Sequence, residues 1–546
     1  MKKGVVDFIT LGCSKNLVDA ERLMRQLEAA GWCCVHDAAK PNGEIAVVNT
    51  CGFIGDAKEE SINTILQLVS RKERKQLRKL IVMGCLSERY RADLEAEIPE
   101  VDAYFGKFDY MDVVEWLGKY NPDRQKESIC SYERKLTTPS HYAYLKISEG
   151  CNRMCSYCAI PLITGRHTSR PMEEILDEVR WLVAQGVKEF NVIAQDLSSY
   201  GLDLERRHML PELIDAMAGI DGVAWIRLHY TYPTDFPMDL LDVMARHSNV
   251  CKYMDIALQH CTDHMLGLMR RHITREEQDA LIRKIRERVP GICIRTTLLV
   301  GHPGETEEDF EQLKEWVREM RFERMGCFAY SDEEGTYAHR HYEDSIAQEV
   351  KERRVAELMA IQQEISGELM QGFVGKTLPV IIDRYDGDYY IGRTEYDSPE
   401  VDCEVLIEAQ GEELCVGSFY SVCITRAEEF DLYATMKPAK EVGGDFYDFY
   451  MLNDSTIAFL VADVSGKGIP AAMFMMRAKT VIRDLAERGL EPDEIFTIAN
   501  EKLCENNDAG MFVTAWLGIL DTKTGLMKFA NAGHNPPLMK RNGEKF

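Results

Sequence analysis

Short apolar runs alternate with longer amphipathic stretches through the first 120 or so residues. "VVDFITLGC", "EIAVVNTC" and "KLIVMGC" read as strands, and helical patterns such as "VDAERLMRQLEAAG" and "AKEESINTILQLVSRKERKQL" separate them. Such alternation predicts parallel strands joined by crossover helices. A polar stretch from about Asn121 to Ser140, "NPDRQKESICSYERKLTTPS", lacks apolar periodicity and reads as a linker. From Tyr142 to about Phe373 the alternation resumes with six strand candidates: "AYLKISEGC", "EFNVIAQD", "WIRLHYTYP", "YMDIALQH", "CIRTTLLVG" and "RMGCFAYS". Six such units predict an open or partial (β/α)6 barrel, with its chemistry at the C-terminal strand ends. Val374 to about Tyr433 switches to strands and turns and predicts a small β-barrel. A last segment has its own strands and one long helix. The expected fold class is therefore α/β, with domains over 1–125, 141–373, 374–433 and 434–546.

Length and composition fit this division. At 546 residues the chain is too long for one core. It contains no run of eighteen uninterrupted apolar residues, and "MKKGVVDFITLGC" lacks a cleavable signal pattern, so we expect a cytoplasmic protein without a membrane partner. In such a compartment the seventeen cysteines are reduced, and clustered ones point to metal. A net charge of −25 argues against a chain that coats nucleic acid and favours a basic partner, unless the acidity only maintains solubility.

The clustered cysteines are Cys151, Cys155 and Cys158, in "EGCNRMCSYCAIP". Their CxxxCxxC spacing follows the first barrel strand. A structural zinc site would need a fourth ligand, and the following stretch offers only His167. Three thiolates around an iron–sulfur cube instead leave one iron open. That iron can chelate the amine and carboxylate of S-adenosylmethionine and pass an electron to its sulfonium. A zinc knuckle or plain core cysteines are the competing readings. The spacing, the position after a strand and the six-unit barrel resemble the radical S-adenosylmethionine superfamily. On that reading Gln195 and Asp196, after the second barrel strand, and Gly301 and Glu305 of "GHPGE" are candidates for holding S-adenosylmethionine. "GHPGETEEDF" also fits a turn and helix cap.

Cys13, Cys51 and Cys85 each end an apolar strand ("LGC", "NTC", "MGC"). Parallel strands converge at one sheet edge, so these thiols could meet there, although isolated cysteines often only pack in a core. "LGCSKNLVDAERL", "VVNTCGFIGDAKEES" and "VMGCLSERY" are similar to the N-terminal domain of the methylthiotransferase family. This resemblance implies that the three hold an auxiliary iron–sulfur cluster, making two [4Fe-4S] clusters in all. Cys33, Cys34, Cys251, Cys261, Cys293 and Cys327 lack ligand spacing and read as core.

Within that family "GCSKNLVDAE", "GRHTSRP", "NVIAQDLSSYG", "RLHYTYP", "MDIALQHCTDHML" and "GRTEYDSPEVDCEV" resemble the RimO-type branch, which modifies an aspartate of small-subunit ribosomal protein S-twelve, rather than the transfer-RNA branch. His260 is a possible branch marker or simply a packed strand end. The resemblance identifies the small β-barrel as a TRAM domain. Its fourteen Asp and Glu against four Lys and Arg would repel transfer RNA and attract a basic ribosomal protein. The basic run "RKERKQLRK" (Arg71 to Lys79) reads as a solvated helix face. The implied reaction inserts sulfur at the aspartate β-carbon and methylates it, with an external electron donor.

After Tyr433, "ATMKPAKEVGGDFYDFY", "FLVADVSGKGIPAAMFM" and "ANAGHNPPL" resemble metal-dependent serine phosphatases of the sporulation-regulator type, with Asp445 and Asp463 at the implied metal positions. Further metal-binding aspartates of that family have no counterpart before Phe546. We expect an incomplete segment that neither folds well nor catalyses.

Overall fold

The computed structural model describes residues 2–38, 41–120, 127–408, 413–435, 446–453, 455–465, 469–505, 507 and 510–535. Two compact units divide at Met436 and Lys437.

The front unit opens with a parallel sheet of β1 (Lys2–Thr10), β2 (Cys33–His36), β3 (Gly43–Thr50), β4 (Lys79–Gly84) and β5 (Ala103–Tyr104), in the order β2-β1-β3-β4-β5. Every residue of β3 is buried, because helices cover both sheet faces and the sequence supplies an unbroken apolar run. Alternation governs edge strand β2, where Cys34 turns into the core and Cys33 is exposed. The core reading for Cys33 is thus corrected. Cys34, Cys251, Cys261, Cys293 and Cys327 are buried.

Next comes a six-stranded parallel sheet of β6 (Tyr142–Lys146), β9 (Glu189–Ile193), β10 (Trp225–Thr231), β11 (Val250–Gln259), β12 (Cys293–Val300) and β13 (Arg324–Ala329). The short pair β7 (Ser148–Glu149) and β8 (Thr168–Ser169) lies between the first two of these. Strand order is sequential, β6 to β13, as the partial barrel requires. One apolar core lines it, including Leu145, Phe190, Leu228, Ile256, Leu298 and Trp316. The helix Glu307–Met320 starts with a capping box in which Thr306 and Asp309 exchange side-chain and backbone hydrogen bonds, as "GETEED" suggests.

Strands β14 (Thr377–Tyr385), β15 (Tyr390–Arg393), β16 (Glu404–Glu408), β17 (Phe419–Ala427) and β18 (Asp431–Thr435) close into the small barrel. Its acidity is partly spent on the larger sheet. Asp383 bonds His141 and Arg393, Asp397 bonds Arg324 (2.6 Å), and Asp402 bonds Arg295 (3.3 Å). Asp386, Asp388, Glu408, Glu413, Glu428 and Glu429 remain exposed. The basic run is likewise partly engaged. Arg71 donates to the Pro41 carbonyl, while Lys72 and Lys79 pair with Asp102.

The second unit is an antiparallel sheet of β19 (Phe446–Asn453), β20 (Thr456–Val464), β21 (Val513–Asp521) and β22 (Met527–Ala532), with helices Ile469–Glu487 and Pro492–Cys504. It has two helices rather than the expected one, and its own core, in which Leu460, Ile482, Ile495 and Leu517 are buried. Among the described residues four paired strands and two helices bury an apolar layer. Asp463 lies exposed on β20, and Asp445 lies outside the described residues. No described helix is long and apolar enough to cross a membrane.

Candidate cluster sites

Cys13, Cys51 and Cys85 follow β1, β3 and β4, whose C-terminal ends converge at one edge of the first sheet. Glycines let the three loops approach. Gly12 has φ +92°, and a Cβ there would lie 2.8 Å from Cys51 Cβ and 2.9 Å from its Sγ. A Cβ on Gly52 would lie 2.7 Å from Leu86 Cα, against the loop of Cys85. Asn16 ties the loops together. Its amide donates to the Leu11 and Thr50 carbonyls, both at 3.1 Å, and its Oδ1 accepts from Cys85 Sγ at 3.3 Å. Cys13 lies close enough to help raise the Cys51 thiol, and Cys13 and Cys51 together help raise that of Cys85. Burial, the larger cause, pushes Cys85 up to about 12.

Cys151, Cys155 and Cys158 occupy the loop after β7 and are mutually close. Burial pushes Cys151 up to about 11 and Cys158 higher still. Such thiols stay protonated at neutral pH and bind metal only in exchange for the proton. Around them lie groups that the sequence reading did not single out. The buried Arg271 guanidinium donates to Cys155 Sγ (3.4 Å) and covers the Tyr232 ring at 4.1 Å, and the Tyr232 hydroxyl lies 3.5 Å from the same sulfur. Arg153 bonds Asp196 at 2.7 Å and lies 4.4 Å from the other arginine's Tyr232 ring partner. No spacing rule links Arg271 to Cys155, 116 residues earlier.

Among the described residues no three His, Cys, Asp or Glu side chains converge tightly enough for a single metal ion. A four-iron cube spreads its thiolates more widely than the tetrahedron of one zinc, and two groups of three cysteines fit that donor set. His167 spends its Nε2 on Ser169 Oγ at 3.1 Å.

The other candidates separate into two places. Gln195 donates to Glu149, beside the Cys151 loop. Gly301 (φ +74°) and Glu305 lie behind that loop: the buried Glu305 carboxylate accepts from the Gly301 amide and from Arg354 (2.6 Å), and lies 3.2 Å from His260 Nε2. His302, between them, bonds Ser156 Oγ at 3.0 Å, so the "GHPGE" turn buttresses the cysteine loop. His260 is fully buried in this support.

The two cysteine groups are physically joined. Cys85 packs against Ala159 and Ile163, just beyond Cys158. Lys107 bridges Asp19 (3.7 Å) and Glu149 (3.0 Å), and Lys146 bonds both carboxylates from the barrel side. Burial alone would raise Glu149, but Lys146 and Lys107 hold it down at about 2. A cavity of about 610 Å³ opens on Cys13, and another of about 700 Å³ is lined by Phe53 and Ile54 beside Cys51 and by Tyr157 between Cys155 and Cys158.

Comparison with known proteins adds the following. Residues 5–106 match the uncharacterized protein family UPF0004, 145–317 the radical SAM superfamily, 374–436 the TRAM domain, and 453–546 stage II sporulation protein E. A ribosomal protein uS12 methylthiotransferase RimO of Phocaeicola vulgatus is 63% identical over 436 residues, 80% of this chain and 100% of that protein. The protein of the same description in Bacteroides thetaiotaomicron is 64% identical over 435 residues, 80% of this chain and 98% of that one. Among solved structures, the radical S-adenosylmethionine methyltransferase TsrM of Kitasatospora setae has a TM-score of 0.47 at 16% identity, covering 60% of this chain and 75% of that one.

Proposed function

The chain belongs to the ribosomal protein uS12 methylthiotransferase family, and from that premise we propose how its residues divide the work. It is a radical S-adenosylmethionine methylthiotransferase of uS12 that uses an iron–sulfur cluster and S-adenosylmethionine. We assign one cluster to Cys151, Cys155 and Cys158 and a second to Cys13, Cys51 and Cys85. The observation that carries this division is the gathering of the six cysteines into two groups of three, joined through Cys85 against Ala159 and Ile163. When bound, these clusters supply the electron that cleaves S-adenosylmethionine to a carbon radical and the sulfur that is transferred to the aspartate β-carbon.

The protein's own part is placement. Hydrogen abstraction needs no general acid or base, so correct positioning of the substrate carbon dominates the barrier the chain can lower. Arg271 and Tyr232 fix the Cys155 sulfur, and Ser156 holds the loop to His302. The ion pairs of Lys107 and Lys146 lock the first sheet to the barrel, fixing one cysteine group against the other. Gln195 is the better placed of the S-adenosylmethionine candidates, since Gly301 and Glu305 already serve each other, His260 and Arg354.

The exposed carboxylates of the small barrel suit a basic ribosomal protein and disfavour transfer RNA. We place the functional domains at 1–125, 141–373 and 374–433, and an external protein or small molecule as electron donor. Deleting the gene should remove one methylthio group from uS12, read by mass spectrometry of ribosomal proteins, and leave digested transfer RNA unchanged. The reverse pattern would overturn the substrate.

A further inference from the structure

Two residues beyond Cys13 stands a buried cation, Lys15. Lys15 is 9% exposed, and its ammonium sits 3.3 Å from the centroid of the Tyr230 ring. Among the described residues it has no carboxylate within ion-pair distance. Tyr230 and Ser14 line a 610 Å³ cavity beside it, and charged groups of that lining are paired: Arg295 with Asp255 and Asp402, His36 with Asp37, and Glu400 with the Tyr142 hydroxyl. A cation–π contact recovers less than an ammonium gives up when it is withdrawn from water. The first turn of the helix Ser14–Ala29 thus presents an ammonium whose one recorded contact among the described residues is an aromatic face.

Its surroundings indicate what it awaits. Tyr230, under the ammonium, lines the same cavity as Cys13 and Ser14, and the small barrel contributes Ser398 to Val401 to the rim. Tyr230 is itself held at φ +64°, its amide bonded to Asp255. The cavity is large enough for a peptide loop and lies between the cysteine edge, the barrel interior and the acidic small barrel.

We propose that Lys15 receives the side-chain carboxylate of the aspartate to be modified. The inference rests on the reading of uS12 as substrate and deepens it. The carboxylate accepts a charge-assisted hydrogen bond from Lys15 Nζ, and the β-carbon, one bond away, is held beside the Cys13 edge. Lys15 is then a specificity residue: it distinguishes aspartate from a neutral residue of the same shape. No bond is made or broken by Lys15.

The test compares affinities of the anaerobically reconstituted full chain for recombinant uS12 carrying Asp or Asn at the modified position. Wild type should bind the Asp form about tenfold or more tightly, the value of one charge-assisted bond. Lys15→Met, which keeps the apolar contact with Tyr230, should bind both forms equally, while Lys15→Arg should retain the preference. Iron and sulfide content serve as the folding control. Should Lys15→Met assemble poorly, Lys15→Gln is scored the same way. An undiminished Asp preference in the neutral variants, or equal weakening of both forms, overturns the role of Lys15. Failure of wild type to bind either form overturns the substrate reading itself.

Discussion

Arg134 is the clamp between the first sheet and the barrel, and removing it should loosen the sheet's principal helix. Its side chain is fully buried, donating to Glu21 at 2.7 Å and to the Tyr144 carbonyl, with its Nε 3.0 Å from Glu178. Breaking a buried ion pair from one side costs about 3–5 kcal/mol, because the partner's charge is left behind. In Arg134→Met, Glu178 retains Arg170 (2.7 Å) and Arg22 (3.2 Å). Among the described residues Glu21 retains the Thr137 amide and hydroxyl, at 2.7 and 2.9 Å. The expected loss is therefore near the lower end, about 3 kcal/mol. Hydrogen exchange of Ser14–Ala29 reads it directly: amides protected by opening of that helix should exchange about a hundredfold faster. Acid should narrow the difference. Burial alone would raise Glu178, but Arg134, Arg170 and Arg22 hold it below the ordinary carboxylate range. Its contribution is present above the unfolded carboxyl's pKa and is lost as pH falls through the lower folded value. Without Arg134 the folded value rises, so the variant has less of this contribution to lose, and the gap to wild type should close as pH falls through the wild-type value. Exchange within about threefold of wild type at neutral pH would refute the clamp.

Three further outcomes follow from the geometry. Arg271→Gln removes the buried charge that donates to Cys155, and the potential of the cluster held there should fall by on the order of 60 mV, read by redox titration. Glu305→Gln should lower unfolding stability by about 3 kcal/mol, because Arg354 loses its buried partner, yet leave S-adenosylmethionine affinity within about twofold in equilibrium binding. Changing the exposed Asp388, Glu408 and Glu413 to Lys should slow association with uS12 about tenfold at low salt, and the gap should close at high salt in stopped-flow measurements.

The central strands of the first sheet, the six barrel strands and the six cysteines were legible because apolar runs and thiol positions are local features, whereas the short edge strands β2 and β5 carry no such run. "LGC", "NTC" and "MGC" mark strand ends, and parallel topology carries them to one edge. Partnerships across the fold were not legible. Nothing near Arg271 announces Cys155, nothing near Lys107 announces Glu149, and nothing in "GHPGE" announces that Glu305 would be consumed by His260 and Arg354. The acidity of the small barrel was countable, but its pairing with Arg295 and Arg324 was not. Cys33 escaped the core because β2 is an edge strand, a tertiary fact, and the second tail helix, "PDEIFTIANEKLC", is short enough to pass for connection.

Counting iron and sulfide after anaerobic reconstitution weighs the two cysteine groups most directly. Wild type should hold about eight irons, and the combined Cys13→Ala, Cys51→Ala and Cys85→Ala variant about four, one cube lost and one kept. An unchanged count, or loss of all iron from a folded variant, would contradict two separately held clusters.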